Sequence, residues 1–373
     1  MSKKGESEAM TIRMKTTSFQ GARGPVGLLG ALGAGSLAVL LGVTPAGAAP
    51  RGSRTATTTT AYCTSTADAM YRACGGEGVD DYWTETAKCT NLSDNNERMA
   101  CQKDAEAERT AHLDLCAGQR DARLEACRLL GEQRYDPDLE PAMFESDYTH
   151  LSHPNPYFPL TIGSQWEYTS GDEFNVVKML DHTKLIDEIR CIVALDQVFT
   201  LGDLTEDTND WFCQAVNGTV WYFGEETGEL ESFDGDVPSL PEVVSTDGSF
   251  KADRDHDAGG IIFLASPKKG DAYYEEFSLG NAEDLSLILS TIYKYGNDRD
   301  FDRDVPRALA DLFCSAGDCV VTRNTSQLEP GIVERKYYAR GIGLILETNL
   351  NGGKATVLTG CNFDPRCALL PVH

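Results

Sequence analysis

Twelve cysteines punctuate this 373-residue chain, and the first six are spaced as a mirror image. They fall at Cys63, Cys74, Cys89, Cys101, Cys116 and Cys127, so the intervals read 11, 15, 12, 15 and 11. On an α-helix, residues 11 apart lie about 20° apart around the axis and residues 15 apart about 60°. The cysteines of one arm therefore share a face. They cannot bond along that arm, because 11 residues rise about 16 Å and a disulfide needs Cα atoms within roughly 7 Å. An antiparallel helical hairpin turning near residue 95 brings them level across the arms. Asn91-Leu92-Ser93-Asp94-Asn95-Asn96 supplies turn and cap residues. Glu97 to Leu130 is charged and free of Pro, which suits the second helix. The predicted bonds are Cys63–Cys127, Cys74–Cys116 and Cys89–Cys101. Gly75-Gly76-Glu77-Gly78 is expected to break the first arm. Structural zinc sites use close pairs such as C-x₂₋₄-C, and this stretch has none.

An even cysteine count in an exported chain implies a disulfide framework, and the N-terminus carries the export pattern. Pro25 to Thr44 is an apolar, small-residue run preceded by Lys3, Lys4, Arg13, Lys15 and Arg23, and followed by Ala46-Gly47-Ala48. That is the pattern of a secretory signal peptide over residues 1–48; the rival is an uncleaved anchor helix. No stable membrane insertion is expected after cleavage, and the location is extracellular or periplasmic. The leader carries five basic and two acidic residues, so its removal takes the net charge from −25 to about −28. Such a surface repels phosphates, which excludes a nucleic-acid partner. It suits solubility, or cation binding.

The chain then divides by composition. A Thr-rich segment (49–61) precedes the Cys-rich hairpin (62–131), and a Pro-containing linker (132–154) follows it. His150 and His153 lie in that linker and read as surface histidines. From 155 to 360 the segments become short, aromatic and β-branched, with turn signals between them. Ile189–Thr200 and 207–216 form a hairpin that sets Cys191 opposite Cys213. Residues 284–295 are ambiguous between helix and strand, and residues 304–313 read as a short helix. Cys314 with Cys319, and Cys361 with Cys367 in a tail over 361–373, close local loops or cross-link with each other. The fold class is α+β: a disulfide-bonded antiparallel helical hairpin, then a mostly antiparallel β-barrel or curved half-barrel.

Within this region Asn155-Pro-Tyr-Phe-Pro-Leu160, Gly163 and Trp166-Glu-Tyr168 resemble the opening of a family of exported bacterial proteins of unknown function. The resemblance continues through Glu206-Asp207-Thr208, Asp210-Trp211 and Val220-Trp-Tyr-Phe-Gly-Glu225. It resumes at Leu328-Glu-Pro330, Lys336-Tyr-Tyr-Ala339 and Gly341-Ile-Gly-Leu344, and so spans about 155–350. It implies a β-rich exported domain and adds no catalytic residues. Cys213 beside Trp211 and the C-terminal disulfide tail depart from the pattern.

The mature chain has no G-x-S-x-G elbow, H-E-x-x-H, P-loop or Rossmann fingerprint. Trp166, Trp211, Trp221 and Tyr222, with Glu225, are candidate ligand-binding residues: packed aromatics, or the lining of a barrel mouth that takes a small apolar ligand. Asp253, Asp255 and Asp257 alternate ahead of Gly259, either as a solvated loop or as a weak calcium site. Asp298, Asp300, Asp302 and Asp304 repeat the pattern. Glu206, Asp207, Asp210, Glu225 and Glu226 beside aromatics also fit a glycoside hydrolase with paired carboxylates. The leading expectation is an exported, non-enzymatic binding or envelope protein holding an apolar ligand or a cation. A hydrolase and a purely structural surface protein are the alternatives.

Overall fold

A computed structural model describes residues 61–233 and 235–371; the expected signal peptide and nearly all of the Thr-rich segment lie outside the described residues. Helix α1 (Tyr62–Thr90) and helix α2 (Asn95–Leu130) form the hairpin. Asp94 starts α2 as an N-cap, its carboxylate accepting from Asn96 N at 2.8 Å and Glu97 N at 2.9 Å. The start of α1 is held by the chain that leaves α2. The Glu132 carboxylate accepts from the Thr64 backbone N–H at 3.0 Å and its hydroxyl at 2.7 Å. Those bonds hold its pKa below the usual carboxylate range.

Three disulfides join the arms as nested rungs: Cys63–Cys127, Cys74–Cys116 and Cys89–Cys101, with Cα separations of 5.6, 5.7 and 5.5 Å. The expected break at Gly75–Gly78 does not occur, because α1 runs unbroken through it. Gly78 is there for packing. A Cβ on it would lie 2.5 Å from the His112 ring of α2. The pair buries little else: Ala67, Ala105 and Ala126 are the buried apolar side chains besides cysteine.

Fourteen strands follow in one sheet. They are β1 (Gln165–Ser170), β2 (Glu173–Ile186), β3 (Ile189–Thr200), β4 (Asp203–Gln214), β5 (Val220–Glu231), β6 (Glu242–Ser245) and β7 (Phe250–Lys251). Then come β8 (Gly260–Phe263), β9 (Ala272–Ser278), β10 (Ala282–Tyr293), β11 (Cys319–Ser326), β12 (Val333–Ala339), β13 (Gly343–Asn349) and β14 (Thr356–Cys361). Short helices α3 (Arg299–Asp302) and α4 (Arg307–Phe313) sit between β10 and β11. The order is β6-β5-β4-β3-β2-β1-β14-β13-β12-β11-β10-β9, with β7 and β8 on β5. All of the pairings are antiparallel. Two meanders thus meet where β1 pairs β14.

The sheet is not closed into a barrel, contrary to the closed form of the expected fold. Phe263 of β8 does meet Tyr338 of β12 across the interior, with ring centroids 4.8 Å apart. Yet β8 and β9 form no ladder, and one isolated bridge joins Ala258, just before β8, to Phe277 of β9. The chain just before β8 makes turns instead. Asp253 N bonds Asp257 O, Asp257 N bonds Arg254 O, and Asp253, Asp255 and His256 all have positive φ. Backbone groups turned inward on a loop cannot extend a ladder.

The concave face carries the main core, with Tyr168, Phe212, Tyr222, Phe263 and Tyr337 fully buried. The 155–160 segment seals one end. The Asn155 side chain accepts from Tyr157 N and Phe158 N and donates to Gly218 O and Leu264 O, which fixes Phe158 against Phe212. A second cluster lies on the opposite face around Trp211, Phe223 and the Cys191–Cys213 bond. Cys314–Cys319 and Cys361–Cys367 close locally. The hairpin is pinned to the sheet. Arg123 of α2 donates to both Glu283 oxygens, at 2.8 and 2.6 Å, with both side chains buried.

Candidate functional site: an acidic interior

The concave face is apolar toward the 155–160 seal and acidic toward its other end. Strand alternation puts Ser170, Glu173, Asn175, Asp196, Glu206, Thr208, Asp210 and Thr227 inward from β1 to β5, and all are buried. From β9 to β13 come Glu275, Ser286, Thr322, Asn324, Lys336 and Glu347, also buried. Tyr168 shows that the two sets share one space, because its hydroxyl feels both Asp196 of β3 and Glu347 of β13.

Lys336 sits among four carboxyl groups. It lies 3.4 Å from Glu347 and 4.0 Å from Glu334, and Glu275 and Asp284 act on the same group. Asn324 donates to Glu275 at 2.8 Å and accepts from Thr322. Burial pushes Glu347 up to about 8, with the Glu334 charge adding to it. Burial also raises Glu275, Asp284 and Glu334. One ammonium cannot balance four carboxylates in a dry interior, so protons remain on some of them.

A second group centres on Tyr222. Its hydroxyl lies 2.5 Å from Asp210 and 3.0 Å from Glu225, both buried. A hydroxyl has one hydrogen to donate. For both contacts to be hydrogen bonds, one carboxyl must carry a proton. A third group is Glu173, raised to about 7 by burial and by the Glu206 and Asp172 charges, against the pull of Lys354. Neither of its oxygens has a hydrogen-bond partner.

The sequence candidates fall on two faces. Tyr222, Glu225 and Trp166 face the concave side; Trp211 and Trp221 belong to the cluster on the other. Trp166 donates its indole N–H to Ile342 O at 2.7 Å, and the cavity beside it is about 20 Å³, room for a single water. Trp211 packs under the Lys184 ammonium, 3.5 Å from the ring centroid. Asp253, Asp255 and Asp257 do not converge: Asp255 pairs with Arg254 and Asp257 bonds Ser278. Asp298 caps α3, Asp302 takes Gly296 N and the Tyr293 hydroxyl, and Asp304 pairs with Arg335. Among the described residues, the one set of three potential ligand atoms within 4.8 Å is Cys74, His112 and Cys116. Those two sulfurs are bonded to each other and offer no thiolate. An open groove of about 450 Å³ lies at the tail, lined by Glu167, Asn362, Phe363 and Asp364, away from the acidic interior.

No family model and no curated protein sequence matches the chain. The crystal structure of a protein provisionally described as a lipoprotein, from Parabacteroides distasonis, overlaps it with a TM-score of 0.28 at 12% identity. The overlap covers 56% of this chain and 99% of that one. A likeness at that level supports no conclusion about fold or function. The disulfides do carry weight. All twelve cysteines are paired, which marks an exported protein. Among the described residues no helix is long and apolar enough to cross a membrane.

The interior acids were missed as a group in the sequence. Their signal was present in β4, where Glu206, Thr208 and Asp210 alternate along one face. In a chain this acidic, the same pattern also describes a solvated edge.

Proposed function

We propose that this is an exported, non-enzymatic binding protein that holds a cation or a cationic group in the acidic end of its sheet. One observation carries the reading: the carboxyl groups around Lys336, with Glu275 and Glu347 buried and Asp284 and Glu334 half-buried, outnumber the single ammonium beside them. A fold that keeps such groups against the cost of burying charge has a use for negative potential in a sealed space. An apolar guest is not supported, since the cavity beside Trp166 holds no more than a water. The hydrolase reading needs two accessible carboxyls beside sugar-stacking rings. Asp210 and Glu225 are sealed, and Trp211 and Trp221 lie on the opposite face. The helix pair, pinned through Arg123, serves as a rigid arm for docking to other envelope components. Native mass spectrometry of protein purified from its own host tests the reading. A retained cation or amine, absent after exhaustive exchange, is expected. A clean apo mass, with no midpoint response to any cation or amine, overturns it.

A further inference from the structure

Glu173 is an interior acid neither of whose oxygens finds a hydrogen-bond partner. It follows the two-residue turn Gly171-Asp172, and Ser170 stands directly opposite it in the β1–β2 ladder. Gly171, at φ 64, gives the first turn position the positive φ that this tight hairpin needs. Glu173 is 5% exposed and Ser170 2%. Both Glu173 oxygens and the Ser170 hydroxyl lack hydrogen-bond partners. An ionised carboxylate sealed in this way is among the costliest groups a fold can bury.

The surroundings add negative charge. Glu206 of β4 and Asp172 of the turn act on Glu173, and Lys354 is the cation that opposes them. Lys354 is half exposed and lies 3.8 Å from Asp172. We propose that Ser170 and Glu173, with the charge of Glu206 beside them, form a seat for a monovalent alkali cation; this rests on the cation-binding reading above and gives it an address. The donors are hard oxygens, the type that suits such ions. A divalent ion would draw in further carboxylates, and no set of three Asp, Glu, His or Cys ligand atoms converges here among the described residues. The ion competes with a proton. With Glu173 raised to about 7, the seat is protonated in mild acid and opens to the ion above neutrality.

The test uses the whole mature protein. Thermal midpoints are measured in sodium, potassium and choline chloride at equal ionic strength, at pH 8 and pH 5.5. Sodium or potassium is expected to exceed choline at pH 8, by roughly 2 °C at ten times the dissociation constant, with no difference at pH 5.5. Glu173→Gln is expected to abolish the increment, and Ser170→Ala to reduce it if the first variant folds poorly. Equal midpoints in all three salts overturn the seat. So does a Glu173→Gln protein that keeps the wild-type increment. In that last case a cation site elsewhere in the interior survives, and only this address fails.

Discussion

The helix pair and the sheet hold themselves together by opposite means. The pair buries almost no large apolar side chain; Ala67, Ala105, Ala126 and the cysteines Cys89, Cys116 and Cys127 are what it buries. Three covalent rungs replace the missing hydrophobic contact. The sheet has aromatic core to spare, from Tyr168 to Tyr337, and can therefore carry a cluster of ill-matched carboxyls. Stability without a core requires crosslinks, while an excess of core permits buried charge. Each region should respond to a different perturbation.

The largest effect belongs to the crosslinks. The Cys63–Cys127 bond closes a separation of 64 residues, which in the chain-entropy account stabilises by about 4 kcal/mol. Replacing both by Ser should lower the urea midpoint of helical circular dichroism well before the near-ultraviolet signal of the sheet aromatics moves. Coincident loss of both signals would show the two regions to be one cooperative unit. Next is the pin between them. Arg123→Met leaves Glu283 buried with only the Gly280 N–H, at 2.6 Å, to hold it. Breaking a buried pair from one side should cost about 3 kcal/mol. Hydrogen exchange should then rise in α2 near Gln119, whose amide bonds Leu328 O.

The sheet should respond to pH where the helix pair does not. Glu347 binds its proton more tightly when folded, up to about 8, than the ordinary carboxylate near 4.3 when unfolded. Between those values the folded state holds more protons. Stability is therefore full below the lower value and falls as pH rises toward the upper one. The thermal midpoint should be highest near pH 5 and decline toward pH 8, by on the order of 2 kcal/mol from this group. Glu347→Gln should flatten that slope. Glu106→Gln, on the exposed face of α2, should leave it unchanged; equal effects would assign the slope to general charge repulsion.

Legibility in the sequence divided along the same line. The rungs could be read because helix geometry converts spacing into position, and a mirror series admits one nesting. The Cys191–Cys213 bond followed from strand register in the same way. The ambiguous 284–295 segment resolved as β10, with Leu285 packed against Ala126 and Tyr274 on one face and Ser286 and Ile288 on the other. Closure of the sheet was beyond reach, because it depends on whether β8 and β9 pair, a contact between segments with no local signal. The acidic interior was hidden for another reason. Charge alone does not reveal burial, and Glu206 and Asp210 have the same composition as the exposed Asp207 between them.

The smallest effect tests why α1 survives its glycines. Gly76 is exposed, and a Cβ there would meet nothing within 4 Å. Gly76→Ala removes conformational freedom from the unfolded chain and should stabilise by about 0.5–1 kcal/mol. Gly78→Ala gains the same entropy, but its Cβ would sit 2.5 Å from the His112 ring. That ring is itself held at Cys74 O, 2.9 Å away, beside the central disulfide. The ring must move or the arms must part, so this variant should be destabilised despite the better helix former. The difference between two alanines placed two residues apart isolates interhelical packing from helix propensity. If both stabilise equally, the arms do not pack at Gly78, and the rungs alone hold them together.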